Sequence, residues 1–218
     1  MIKSRKTIKI IFLIILVFLL IFSCSRTTPE IAFGFIKLVL YEGDPDPIEQ
    51  FSFFIIPEDD DGLENLDELI IFHDRDQLRW RIKSDEWIKH THEGVDWIGT
   101  RSLSIRDDVL PRGVFRVVLI NKGGESTEKN FTFDGNVRYS FPEIEIEGGL
   151  YTVVSAWPVN RLVGYDRSGN YVMTVVLNTL SGSVSELRLT QSVRSVSLWA
   201  EDEENYCSAF TNAVLIEN

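Results

Sequence analysis

Along most of this chain, apolar and polar residues alternate with the period of a strand, not of a helix. Leu78-Arg-Trp-Arg-Ile-Lys83 is the plainest case. Leu78, Trp80 and Ile82 fall on one side and Arg79, Arg81 and Lys83 on the other, the pattern of a half-buried strand. Short apolar runs bounded by turn residues predict further strands at 51–56, 69–72 and 114–120, with a long one, or two joined at Gly34, over 31–41. Later candidates are 143–147, 150–157, 171–177, 194–200 and 206–216. The best helical candidate, 62–68, is worth one or two turns. Segment 84–97, "SDEWIKHTHEGVDW", breaks the alternation and reads as a long polar loop between strands 78–83 and 98–105.

Turn chemistry punctuates these runs at "GDPDP" (43–47), "PEDDDG" (57–62), "LPRG" (110–113), "NKGG" (121–124), "DGN" (134–136), "EGG" (147–149) and "DRSGN" (166–170). Many short strands at this turn density predict an all-β fold of one or two β-sandwich domains. A boundary at Asp134-Gly135-Asn136 divides residues 31–134 from 135–218, two sandwiches or one larger sandwich continued. Residues 31–134 resemble an immunoglobulin-like or fibronectin-like sandwich. The cysteine pair of antibody domains is absent, which excludes that subtype.

The N-terminus has a different pattern. Residues 1–9 hold Lys3, Arg5, Lys6 and Lys9 without an acid, and 10–22 form an unbroken apolar run. Thirteen residues are too few to cross a bilayer as a helix, which takes about 20; a basic stretch followed by a short apolar one reads as a signal peptide, residues 1–23. Leu20-Ile21-Phe22-Ser23-Cys24 resembles a bacterial lipobox, with Ile21 and Ser23 at the aliphatic and small positions before the cysteine. Phe22 departs from the common small residue, as in the relaxed lipoboxes typical of spirochaetal lipoproteins. The resemblance implies acylation of Cys24, with diacylglycerol on the thiol and a further chain, such as palmitate, on the freed amine. Residues 24–30 would be a short tether, and the lipid bilayer a partner through Cys24. The place implied is the bacterial cell envelope, the body outside the cytoplasm. Cys207 would then have no intramolecular partner, so the fold is expected to need no disulfide.

Charge narrows the partners. The whole chain carries 22 bases and 33 acids. The leader removes four bases and no acid, leaving −15 on residues 24–218. A body this acidic is expected to avoid nucleic acid, whose phosphates would repel it. An apolar fraction of 44% and five tryptophans predict a packed core instead of a disordered stalk.

Candidate chemistry is sparse. The acidic loop 58–68 could offer Asp59 and Asp61 to a hard cation, which wants several oxygens, but its spacing is not that of an EF-hand and a solvated turn explains it. His90-Thr-His92 places two imidazoles on one side of an extended chain, with no third ligand at a recognisable spacing. No Gly-x-Ser-x-Gly elbow or phosphate loop occurs. The expectation is therefore no cofactor and a non-enzymatic interaction or structural module, meeting a protein or a glycan. Trp87, His90, His92 and Trp97 are the candidate binding residues, because flat aromatic rings bury much area at little entropic cost. The alternative is a glycan-directed envelope hydrolase using carboxylates of the 58–68 loop, such as Asp59, Asp61 or Glu68.

Overall fold

The computed structural model describes residues 27–105 and 109–216; the leader and Cys24 lie outside them. The described chain is a sandwich-type all-β fold of sixteen strands, broken only by single 3-10 turns. In order they are β1 (Glu30–Tyr41), β2 (Ile48–Glu58), β3 (Leu66–His73), β4 (Leu78–Lys83), β5 (Ile88–His92), β6 (Val95–Leu103), β7 (Gly113–Asn121) and β8 (Ser126–Phe133). Then follow β9 (Glu143–Glu147), β10 (Leu150–Val154), β11 (Val159–Tyr165), β12 (Tyr171–Val176), β13 (Ser181–Ser183), β14 (Ser195–Asp202), β15 (Cys207–Phe210) and β16 (Val214–Leu215).

One long sheet, β12-β11-β14-β15-β1-β2-β6-β5, with β16 also paired to β14, forms the first layer. Two smaller sheets, β4-β3-β7-β8 and β13-β10-β9, form the second. Alternation decides what lies between the layers. Ile36, Leu38 and Leu40 of β1 and Phe51, Phe53 and Ile55 of β2 turn inward against Leu69, Ile71, Phe115, Val117 and Leu119 of β3 and β7. Phe51 meets Phe115 and Phe133 edge-on, with ring centroids 5.4 and 4.9 Å away; each such pair adds about 0.5–1.5 kcal/mol to the area it buries. A smaller cluster, Tyr151, Val153, Leu162, Val196 and Leu198, fills the space under the third sheet.

Residues 135–218 extend the sheet that residues 31–134 begin. β15 lies parallel to β1, Leu38 opposite Cys207, and Trp157, Ala200 and Ala209 share the cluster of Phe51. The stretch around Asp134-Gly135-Asn136 is held as a crossover, with Arg112 Nε donating to the Gly135 carbonyl at 2.8 Å. Trp157 Nε1 donates to the Ser140 carbonyl at 2.9 Å.

One local expectation is corrected, one alternative is decided and one strand is added. Segment 84–97 is not a long loop: after one turn it forms β5 and the start of β6, a hairpin closed by Glu93 and Gly94. Both turn residues have positive φ, 51° and 78°, as a two-residue turn matched to strand twist requires. β1 runs unbroken through Gly34, where a Cβ would stand 2.8 Å from the Phe131 ring; glycine admits that ring. Strand β11 was not marked out, because Asn160, Arg161 and Gly164 interrupt its apolar pattern.

Cys207 is the free cysteine among the described residues, and it is buried. Burial pushes its thiol up to about 11, so roughly one molecule in a thousand is thiolate at pH 8. Folded protein is therefore expected to resist iodoacetamide at pH 8, and thermal melts with and without reductant should coincide. Alkylation of Cys207 as fast in the folded protein as in urea would show the packing around β15 to be wrong.

Candidate functional site

The β5–β6 hairpin has two sides, because successive residues of a strand point to opposite faces. On one side Lys89, Thr91 and Asp96 border a groove of about 650 Å³ whose far wall is the acidic loop at Glu58, Asp59 and Asp60. The structure thus brings together two segments that stand apart in the sequence. Two of its carboxylates, Asp59 and Asp96, and the nearby Asp61 and Glu68 are engaged locally. Asp59 accepts from the Asp61 backbone N–H at 2.8 Å and from Asn65 Nδ2 at 3.2 Å. Asp61 accepts from the Thr27 hydroxyl at 3.3 Å. Asp96 accepts from the Thr91 hydroxyl at 2.5 Å. Glu68 lies on β3 in the second sheet and pairs with Arg81 of β4. Asp59, Asp61 and Glu68 are thus each tied to a different neighbour. No cluster of three or more His, Cys, Asp or Glu with metal-site geometry occurs among the described residues.

On the other side of the hairpin His90 stands opposite Trp97. The His90 and His92 rings are nearly parallel, with centroids 6.3 Å apart, and both residues are exposed. Trp97 continues the row inward. Its ring centroid is 6.0 Å from that of Phe33, edge-on, and 5.6 Å from that of Phe35. Phe35 in turn stacks on Phe54 at 6.0 Å. The result is an aromatic strip across β5, β6, β1 and β2 on the outer face of the long sheet. Phe33 is 55% exposed and Ile88 37%.

The strip contains three of the four candidate binding residues. Trp87 is not with them: it is 7% exposed and belongs to the main core. The backbone turn over Lys83–Trp87, with Glu86 N–H and Trp87 N–H both donating to the Lys83 carbonyl, carries its ring inward. Among the described residues Trp87 Nε1 finds no hydrogen-bond partner there. Phe33 and Phe35 are site residues the sequence reading missed. The available signal was that β1 is apolar at odd positions as well as even ones. In a sheet covered on one face only, such a strand exposes apolar side chains.

Farther along the same face the polar groups are closed on themselves. Lys37 and Arg161 both pair with Glu201, and both lie over the Trp199 ring, 5.7 and 4.9 Å from its centroid. Burial raises the pKa of Tyr41, Arg101 opposing it. This region is an internally satisfied network, whereas the hairpin end leaves its aromatic rings open.

No protein-family model matches the chain, and no curated protein matches it. Among solved structures it is similar to dimeric latent PorU from Porphyromonas gingivalis, at 14% identity and a TM-score of 0.33 over 87% of this chain and 20% of that one. It is also similar to Tp47, the 47-kilodalton lipoprotein of Treponema pallidum, at 12% identity and a TM-score of 0.40 over 87% of this chain and 52% of that one. The chain thus spans about a fifth and about half of their respective lengths. Likenesses of this degree do not bear on function.

Proposed function

We propose that this protein is a lipid-anchored, non-enzymatic interaction module of the bacterial envelope, and that its contact surface is the strip Phe33–Phe35–Trp97–His90–His92. The observation that carries this reading is the strip itself: a connected row of aromatic rings left open at one end of the sheet, whereas the Lys37–Glu201–Arg161 group farther along the same face is closed on itself. Rings of this kind contribute binding area without losing much side-chain entropy. The carboxylates of the acidic loop support binding over hydrolysis, because Asp59, Asp61 and Glu68 are engaged separately instead of converging across a cleft as a glycosidase pair does. The anchor reading rests on Ile21-Phe22-Ser23-Cys24 behind a basic and apolar leader. Five residues lie between Cys24 and Glu30, a span of at most about 20 Å of extended chain, which would hold the strip's end of the sandwich close to the bilayer.

Site-specific photo-crosslinking in cells tests the proposal. A photoreactive residue at His90 should give discrete adducts, and one at Glu128 on β8 should give none. Cys24→Ala should abolish labelling by radioactive fatty acid. Adducts of equal yield at both positions, or none at His90, would refute the contact surface. Undiminished fatty-acid label in Cys24→Ala would refute the anchor.

A further inference from the structure

Six strands end the three sheets: β12 and β5, β4 and β8, β13 and β9. An open edge presents unpaired backbone groups, and proteins normally blunt such edges with charge or brevity. Five of these six follow that rule. β4 carries Arg79, Arg81 and Lys83; β9 carries Glu143, Glu145 and Glu147; β5 carries Lys89 beside two histidines; β8 carries Glu128 and Lys129; and β13 is three residues long. β12, Tyr171-Val-Met-Thr-Val-Val176, has no charge, no proline and no glycine. It lies within an eighteen-residue stretch, 168–185, that contains no Asp, Glu, Lys or Arg. Tyr171 is 64% and Val176 55% exposed.

We propose that β12 is the dimerisation edge of this protein: a second copy adds its own β12 antiparallel, about a two-fold axis normal to the sheet. The choice of occupant follows from charge. Two bodies of net charge −15 repel, and self-pairing at β9 would set glutamates against glutamates, at β4 arginines against arginines. At β12 no like charges meet. Residues 168–170 of the β11–β12 turn would face the uncharged 178–180 of the other copy, and Asp166 and Arg167, beyond them, would meet no charge, since 168–185 holds none. The residues are also good partners for one another, being β-branched and apolar.

The pleat fixes the register. Thr174, opposite Val163, and Val176, opposite Arg161, are on the outer face; Met173, opposite Gly164, and Val175, opposite Leu162, are on the core face. Residues directly opposite in an antiparallel pair share a face, so the two-fold must pass through a residue and not between two. Axes at Met173 and at Thr174 each pair five residues of the strand; the one at Thr174 puts Val172, where the ladder to β11 is irregular, at the end of the pairing, and sets Thr174 against its own copy and Met173 against Val175.

The full chain, purified in mild detergent, is tested by light scattering over a concentration series. The protein mass should rise from monomer to dimer. Thr174→Lys places like charges opposite each other and should weaken association by at least about tenfold; an unchanged urea midpoint will show that the variant is folded. Thr174→Cys should form a disulfide-linked dimer under mild oxidation, and Thr127→Cys on β8 should not. A parent that stays monomeric, a Thr174→Lys variant that dimerises as the parent does, or equal cross-linking at Thr127 would overturn the assignment. None of these outcomes depends on Cys24, so they stand apart from the anchor reading.

Discussion

Trp87→Ala is expected to cost about 3–5 kcal/mol of folding stability, as other large-to-small core changes do, and Trp97→Ala only about 1–2 kcal/mol, since it loses contacts on a half-open face. Trp87 is 7% exposed within the cluster that holds Phe51 and Phe115, so truncation opens a cavity that the surrounding strands fill only in part. Trp97 rests on Phe33 and Phe35, with solvent on its other side. Urea denaturation of the two variants measures the difference. A control sharpens it. Trp87 Nε1 has no partner among the described residues, so Trp87→Phe sacrifices none of their hydrogen bonds and should lose about 1.5 kcal/mol or less. Equal losses for Trp87→Ala and Trp97→Ala would mean that the hairpin does not separate the two rings as described.

Glu201→Ala is expected to cost about 2–3 kcal/mol. Its carboxylate is 6% exposed and is shared between Lys37 and Arg161, each about 20% exposed. Removing it strips Lys37 of its carboxylate and leaves Arg161, beside it on the Trp199 ring, only the exposed Glu203 at 3.4 Å. Breaking a fully buried pair typically costs 3–5 kcal/mol. The lower figure here reflects the solvent that still reaches both cations. The same substitution in a Lys37→Met, Arg161→Met background should cost about 1 kcal/mol or less, since no cation is then stranded. A double-mutant cycle from urea melts measures this coupling. Additive losses would show that the three side chains do not act as one network.

The candidate site was only partly legible. His90, His92 and Trp97 could be named because aromatic and imidazole groups are conspicuous in a polar stretch. Trp87 stands in the same stretch and is equally conspicuous, but its ring goes to the core. The signal that separates them is the Glu93-Gly94 pair. Read as a two-residue hairpin turn, it would have set His90 against Trp97 and left Trp87 outside the ladder. Phe33 and Phe35 were hidden for a different reason. In a one-dimensional pattern an apolar residue on the uncovered face of a sheet looks the same as one on the covered face.

From the sequence alone, the fold class followed, because period-two alternation and frequent turns act within a few residues and need no knowledge of distant contacts. The acidity of the chain was legible for the same reason, being a matter of composition, and the expectation for Cys24 rests on residues just as local. What only the tertiary structure decided is everything set by pairing across long separations. β1 lies beside β15, some 170 residues later, so one long sheet runs through both halves of the chain. The acidic loop meets the β5–β6 hairpin across a groove. β12 is left as a full-length open edge without charge, whereas the other uncharged edge, β13, is three residues long. A strand's own residues specify which side chains share a face. They do not specify which face will be covered or which edge will find a neighbour, because those depend on the order in which the strands assemble into layers.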